Sequence, residues 1–322
     1  MIREGLIADL IELGGAGVSV VDAGAASTGG AGVVRVGLHR TGARPGPEDL
    51  EGFDILLSCD PAAPRPWVGV ADLDAAIAHL EAEIARQPTA AAVAAQVLRG
   101  SLAVGFDQAL VQESLAYSML LASRDFRAWR AANPPRQRSD DAAPRVLIGE
   151  VDGALTITLN RPAARNAVDA RMRDELCAAL DFAAEHPDAP PVVLTGAGPA
   201  FSAGGDLDEF GSAAEPGQAH LIRVLRSAAR GARNLGPRLT ARLHGACVGA
   251  GIEVPAAAAR VVAVEGAFFR LPEVSMGLIP GAGGTATIPR RIGRHRAAFM
   301  AISGAVIDLP TALAWGLVDA AV

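Results

Sequence analysis

An α/β fold is predicted, and three observations carry the expectation. Short β-branched and apolar runs bounded by glycine alternate with longer stretches of helical apolar period. In the C-terminal half this alternation repeats at the length of strand–helix units. With 36 glycines and only 4% aromatic residues, the core must be built from small and aliphatic side chains with close backbone approaches.

The elements follow in order. Residues 1–70 are Gly-rich and hold the β-like runs VSVVDA, VVRVGLH and FDILLS. GGAGVSV at 14–20 lacks the third glycine of a dinucleotide-binding turn. Residues 71–131 read as helices. LDAAIAHLEAEIARQ spaces Leu73, Ile77, Leu80 and Ile84 along one face, Pro88-Thr89 interrupts, and AAAVAAQVLRG follows. QALVQESLAYSMLLASRDFRAWRA forms one or two more helices, with Leu110, Leu115, Met119 and Phe126 inward. NPPRQRSDDAAPR at 133–145 has three prolines, mixed charge and no apolar period, and reads as a linker between 1–132 and 146–322. Beyond it come the strand ALTITLN, the amphipathic helix DARMRDELCAALDFAAE, the strand PVVLTG and the helix AHLIRVLRSAARGARN (219–234). The strand LTARLHG, a helix from about Ala250 and the strand ARVVAVEG continue the alternation.

Bulk properties exclude several functions. The net charge is −6 and no Lys/Arg cluster could track a phosphate backbone, so nucleic acid is not an expected partner. Cys59, Cys177 and Cys247 form neither a disulfide framework nor a metal-spaced set. The opening MIREGLIADLIELGG lacks the basic flank of a signal peptide, and no apolar run reaches membrane-spanning length. A cytoplasmic protein without metal or redox cofactor is expected.

Three segments carry chemistry. GAGPAFSAGGDLDEF (196–210) is a strand end and a small-residue loop expected to turn helical near Asp206. HGACVGAGIE (244–253) is a second strand–glycine turn–helix. Each offers backbone N–H groups where the helix leaves donors unpaired, and two such turns can clamp an oxygen that becomes anionic. FFRLPEVSMGLIPGAGG (268–284) adds Glu273 to Glu253, two acids in apolar settings. A carboxylate in such a setting needs a partner or a purpose. The pair suits proton transfer to and from a substrate.

In their order and spacing, these segments resemble the crotonase, or enoyl-CoA hydratase/isomerase, superfamily. LNRPAARNAVDARM, VVLTGAGPAFSAGGDL, GACVGAGIE, LPEVSMGLIPGAGGT and GAVIDLPTALAWGLVD carry the likeness over residues 146–322. The resemblance implies a spiral of repeated ββα units and an acyl-CoA substrate, with coenzyme A as part of the substrate rather than a cofactor. It implies an oxyanion hole from the N–H groups of Gly205 and Ala250, and catalysis by Glu253 and Glu273. Ala203, Gly204, Asp206 and Leu207 fall on the substrate loop, and Arg165 is a candidate partner for a CoA phosphate. Hydration of the 2,3 double bond of an enoyl-CoA is the expected reaction, in a homo-oligomer, trimer or hexamer. Double-bond isomerisation, action on a cyclic acyl-CoA, or a non-catalytic acyl-CoA-binding subunit are the alternatives. Two departures stand out: Val254-Pro255 follow Glu253, and the family's C-terminal covering helices are missing after Val322. The helices at 71–131 are similar to that missing segment and are expected to replace it; an unrelated helical domain is the other reading.

Overall fold

The computed structural model describes residues 17–24, 32–41, 46, 50–136 and 142–322. Residues 1–16 and part of the 133–145 linker lie outside the described residues. The first strands are β1 (Val18–Asp22), β2 (Val34–His39), β3 (Ile55–Ser58) and β4 (Val68–Gly69). They form an all-parallel sheet in sequential order. Four helices follow: α1 (Leu73–Arg86), α2 (Pro88–Gly100), α3 (Phe106–Leu121) and α4 (Arg124–Ala132). Asp72 caps α1 by accepting from Ala75 N, and Ser123 caps α4 by accepting from Phe126 N.

The second part opens with β5 (Val146–Val151), β6 (Ala154–Leu159), α5 (Ala170–Glu185) and β7 (Val192–Gly196). Then come α6 (Pro216–Leu225), α7 (Ala228–Asn234), β8 (Leu239–Leu243), β9 (Ala246–Val248) and the single turn α8 (Ala250–Glu253). The chain continues through β10 (Arg260–Ala263), β11 (Phe268–Arg270), α9 (Gly284–Ile292) and α10 (Arg294–Ser303). It closes with β12 (Ile307–Asp308), α11 (Leu309–Trp315) and β13 (Ala320–Ala321). A six-stranded sheet runs β13-β10-β8-β7-β6-β5, parallel except for the β5–β6 hairpin. A smaller sheet, β12-β11-β9, stands beside it. This mixed α/β arrangement agrees with the fold class expected.

Several expectations need correction. The helix read at 219–234 is two, because the chain breaks after Leu225 and Ser227 caps a fresh start by accepting from Arg230 N. No helix begins at Asp206; residues 207–211 form a turn. In α3, Leu115 and Met119 are exposed while Leu110 is buried, as is Phe126 in α4. The inward face of α3 is Leu110, Glu113, Ser114, Tyr117 and Leu120. It carries an acid because partners wait for it across the interface.

One continuous core spans both parts, joining Leu80, Ala94, Leu120 and Phe126 to Leu278, Ile279, Ala298 and Ile302. Polar contacts pin the same interface. Arg294 Nη1 donates to Phe53 O, Arg296 Nε to Trp67 O and Arg290 Nη2 to Val104 O. A side chain on Gly281 would collide with the Tyr117 ring, and one on Gly277 with the backbone at Phe126. A protein beginning near Pro144 would expose these apolar faces to water. It is expected to aggregate or to unfold without cooperativity, as read by size-exclusion chromatography and thermal circular dichroism. A soluble product of wild-type stability would make the N-terminal part an independent appendage.

Candidate active site

A cavity of about 530 Å³ opens between α3, α6 and the loops around β9. Its wall includes Gly205, Ala250, Glu253 and Glu273. The turns after β7 and β9 run side by side. Ser202 bridges Cys247 in a parallel pair, and a Cβ on Gly204 would lie 2.8 Å from Val248 O. Gly205 sits opposite Val168 in an isolated bridge, where Val168 N donates to Gly204 O and Asp206 N to Val168 O. Backbone groups alternate along such a segment, so Gly205 N faces away from Val168. Neither Gly205 N nor Ala250 N donates to a protein acceptor among the described residues. Both residues line the cavity, and Ala250 opens the turn of α8, where a helical N–H lacks an internal partner.

Two acids stand over Gly249, which has φ 50°. A side chain there would strike Glu273 Oε1 and lie 3.7 Å from Glu253 Oε1. The glycine is therefore required by its conformation and by the carboxylates. Glu253 is anchored through one oxygen: its Oε2 accepts from Ala282 N at 2.7 Å and Gly284 N at 2.8 Å. Glu273 Oε2 is buried with no hydrogen-bond partner among the described residues.

A third acid, absent from the sequence reading, joins them. Glu113 of α3 accepts from Gly283 N through Oε1, and from Thr285 N and Oγ1 through Oε2, each at 2.7 Å. Its signal was an acid in the stripe Leu110, Glu113, Tyr117, Leu120. Tyr117 and Arg223 were missed as well. Arg223 donates to Ser114 Oγ and stacks 4.9 Å from the Tyr117 ring centre.

Burial sets the electrostatics. It pushes the Glu253 carboxyl up to about 7, against the two amides that favour its charge. It pushes Glu113 up to about 8, helped by the charge of Glu253. Glu273 is raised well above the usual range, by burial first and then by Glu253. Such a set can hold one proton at one carboxyl and lack it at another near neutral pH.

The remaining expected residues divide. Asp206 lines the cavity, but its carboxylate is tied to Arg161 Nη1 at 2.5 Å. Ala203, Gly204 and Leu207 are not part of the cavity wall; Ala203 N bonds Arg165 O, and Gly204 packs under the Val248 carbonyl. Arg165 is exposed, in a left-handed turn at φ 51°, outside the cavity wall. No cluster of metal-ligating side chains occurs among the described residues. No described helix is long and apolar enough to cross a membrane.

Known proteins are similar to the second part of this chain. The family described as enoyl-CoA hydratase/isomerase matches residues 149–322. A mevalonyl-coenzyme A hydratase of Beauveria bassiana is 37% identical over 173 residues, 51% of this chain and 62% of its own length. A 2,3-dehydroadipyl-CoA hydratase of Escherichia coli is 36% identical over 185 residues, 54% of this chain and 68% of its own. The chain thus spans about two-thirds of these relatives. Among solved structures, an enoyl-CoA hydratase of Thermoplasma volcanium superposes with a TM-score of 0.52 at 34% identity. That superposition covers 56% of this chain and 72% of the other.

The three acids make stability depend on pH. Each binds its proton more tightly folded than unfolded, so the stabilisation is complete below the unfolded carboxyl range, near 4.5. It is lost as pH rises through about 7 to 8 and beyond. The melting temperature, read by calorimetry, should therefore fall from about pH 5 to about pH 8.5, and fall less in Glu273→Gln.

Proposed function

We propose that this chain, which belongs to the enoyl-CoA hydratase/isomerase family, adds water across the 2,3 double bond of an enoyl-CoA thioester. One observation carries the reading: two unpartnered amides, Gly205 N–H and Ala250 N–H, line the same cavity as Glu253 and Glu273. The thioester oxygen binds the two amides, which stabilise it most as it becomes an enolate oxygen. Glu253 and Glu273 hold the water over Gly249.

The environments of the two acids assign their roles. Glu253 ionises first, since two amides favour its charge. Its Oε1 stays clear of those amides and takes the proton of water as the oxygen bonds to the β-carbon. The π electrons move to the thioester oxygen. Glu273, raised by the Glu253 charge as well as by burial, keeps its proton once Glu253 has ionised and gives it to the α-carbon as the enolate collapses. The pair ends with its proton on Glu253 instead of Glu273, and exchange with solvent resets it. Coenzyme A belongs to the substrate, and no step calls for a metal or redox cofactor.

Helix α3 closes one side of the cavity, with Leu110, Glu113, Ser114, Tyr117 and Leu121 in its wall. A cytoplasmic location and assembly into a trimer or hexamer go with this reading.

Glu253→Gln and Glu273→Gln each keep shape and remove proton transfer, so turnover of crotonyl-CoA should fall by roughly 10²–10⁴. Loss of the conjugated thioester's ultraviolet absorbance follows the reaction, and circular dichroism checks the fold. A wild-type rate in either variant removes that residue from the mechanism.

A further inference from the structure

Four consecutive amides open α9, and two carboxylates from opposite parts of the chain take them in alternation. Ala282 N and Gly284 N go to Glu253; Gly283 N and Thr285 N go to Glu113. The Thr285 hydroxyl completes the set on Glu113. Because the two sets interleave, neither pair of amides can turn without disturbing the other. Glu253 is thus bound through Oε2 alone, and Oε1 is left over Gly249. Glu113 is 170 residues from Gly283 in sequence and is 2% exposed.

We propose that Glu113 is a positioning residue for the hydration, fixing Ala282–Thr285 so that Glu253 is held by one oxygen and offers the other to water. The role rests on the hydratase reading above. Charge supports it. Three acids share this space: the Glu253 charge raises Glu113, and Glu113 in turn raises Glu273. The other titratable or charged groups around Glu113 are Tyr117 on α3, itself raised by burial, and Arg223 on α6, which lies close enough to feel the Glu113 charge. Loss of the Glu113 charge therefore lets Glu273 ionise at lower pH.

Glu113→Gln tests this. Its amide nitrogen must face one of the N–H donors, so Ala282–Thr285 shifts. Misplacement on that scale costs about tenfold or more in kcat, with KM within about twofold. The basic limb of the pH dependence of kcat, set by the proton of Glu273, should move to lower pH. An unchanged kcat, or a fall in kcat with an unmoved profile, overturns the proposal, the latter leaving Glu113 only a packing role.

A second readout needs no turnover. Infrared titration of the ligand-free protein follows the carboxyls that stay protonated near neutral pH. The midpoint of Glu273 should fall in Glu113→Gln, and an unmoved midpoint overturns the proposal. If the wild type hydrates no enoyl-CoA, the hydratase reading fails while this titration still judges the hold of Glu113 on the neighbouring acids. Should Glu113→Gln fail to fold, Thr285→Val removes only the hydroxyl donor and weakens the Glu113 charge. The midpoint of Glu113 should then rise, and an unchanged value again overturns the proposal.

Discussion

The amides of Ala282 to Thr285 are shared between a glutamate of α8 and a glutamate of α3, and much of the architecture follows from that sharing. A carboxylate is expensive to bury unless donors surround it. These donors exist because a helix leaves its first amides unpaired, and the dipole of α9 adds its positive end. Gly284 lets Glu253 come close, since a Cβ there would lie 2.7 Å from Glu253 Cγ, and Gly283 makes room for Ala229. Neither part of the chain provides this arrangement alone. The amides and Glu253 come from the second part, and Glu113 from the first.

The constraint reaches the rest of the cavity through the same helices. Tyr117 lies one helical turn beyond Glu113 and packs on Gly281, at the head of the loop that holds the amides. Phe126 covers Gly277, and Arg130 Nη2 donates to the carbonyl of Phe210, beyond the loop that holds Gly205. The helices thus grip the loops behind both the acids and the clamp. A helix so placed must turn polar groups inward, which leaves Leu115 and Met119 in solvent.

Much of the site was legible because its pieces are local. A strand, a glycine turn and a helix start occupy a few residues, and each leaves a pattern in Gly205, Gly249-Ala250 and the acids near them. The alternation of strands and helices was legible for the same reason. What failed was not local. Glu113 reads as one more polar residue on an amphipathic helix until the amides 170 residues away are in place. The inward assignment of Leu115 and Met119 followed hydrophobicity alone, where partner donors decided the face. β5 escaped notice because five of its six residues are exposed and show no burial alternation. Arg145 was assigned to the linker, yet it is buried and paired with Asp169 at 3.0 Å. Charge by itself does not announce such a pair.

The order of elements also bears on how the two parts depend on each other. Val322 N donates to Ala263 O, beside the β10–β13 pairing of the six-stranded sheet. Helix α3, which walls the cavity, lies before that sheet in sequence and is held against the second part by contacts. Those contacts set how it docks. Apolar packing alone would tolerate a helix sliding along its groove. A buried carboxylate with three fixed donors does not, because a shift of one residue strands both the charge and the amides. In this fold the same interaction that costs most to bury also fixes the register of the helix against the chemistry.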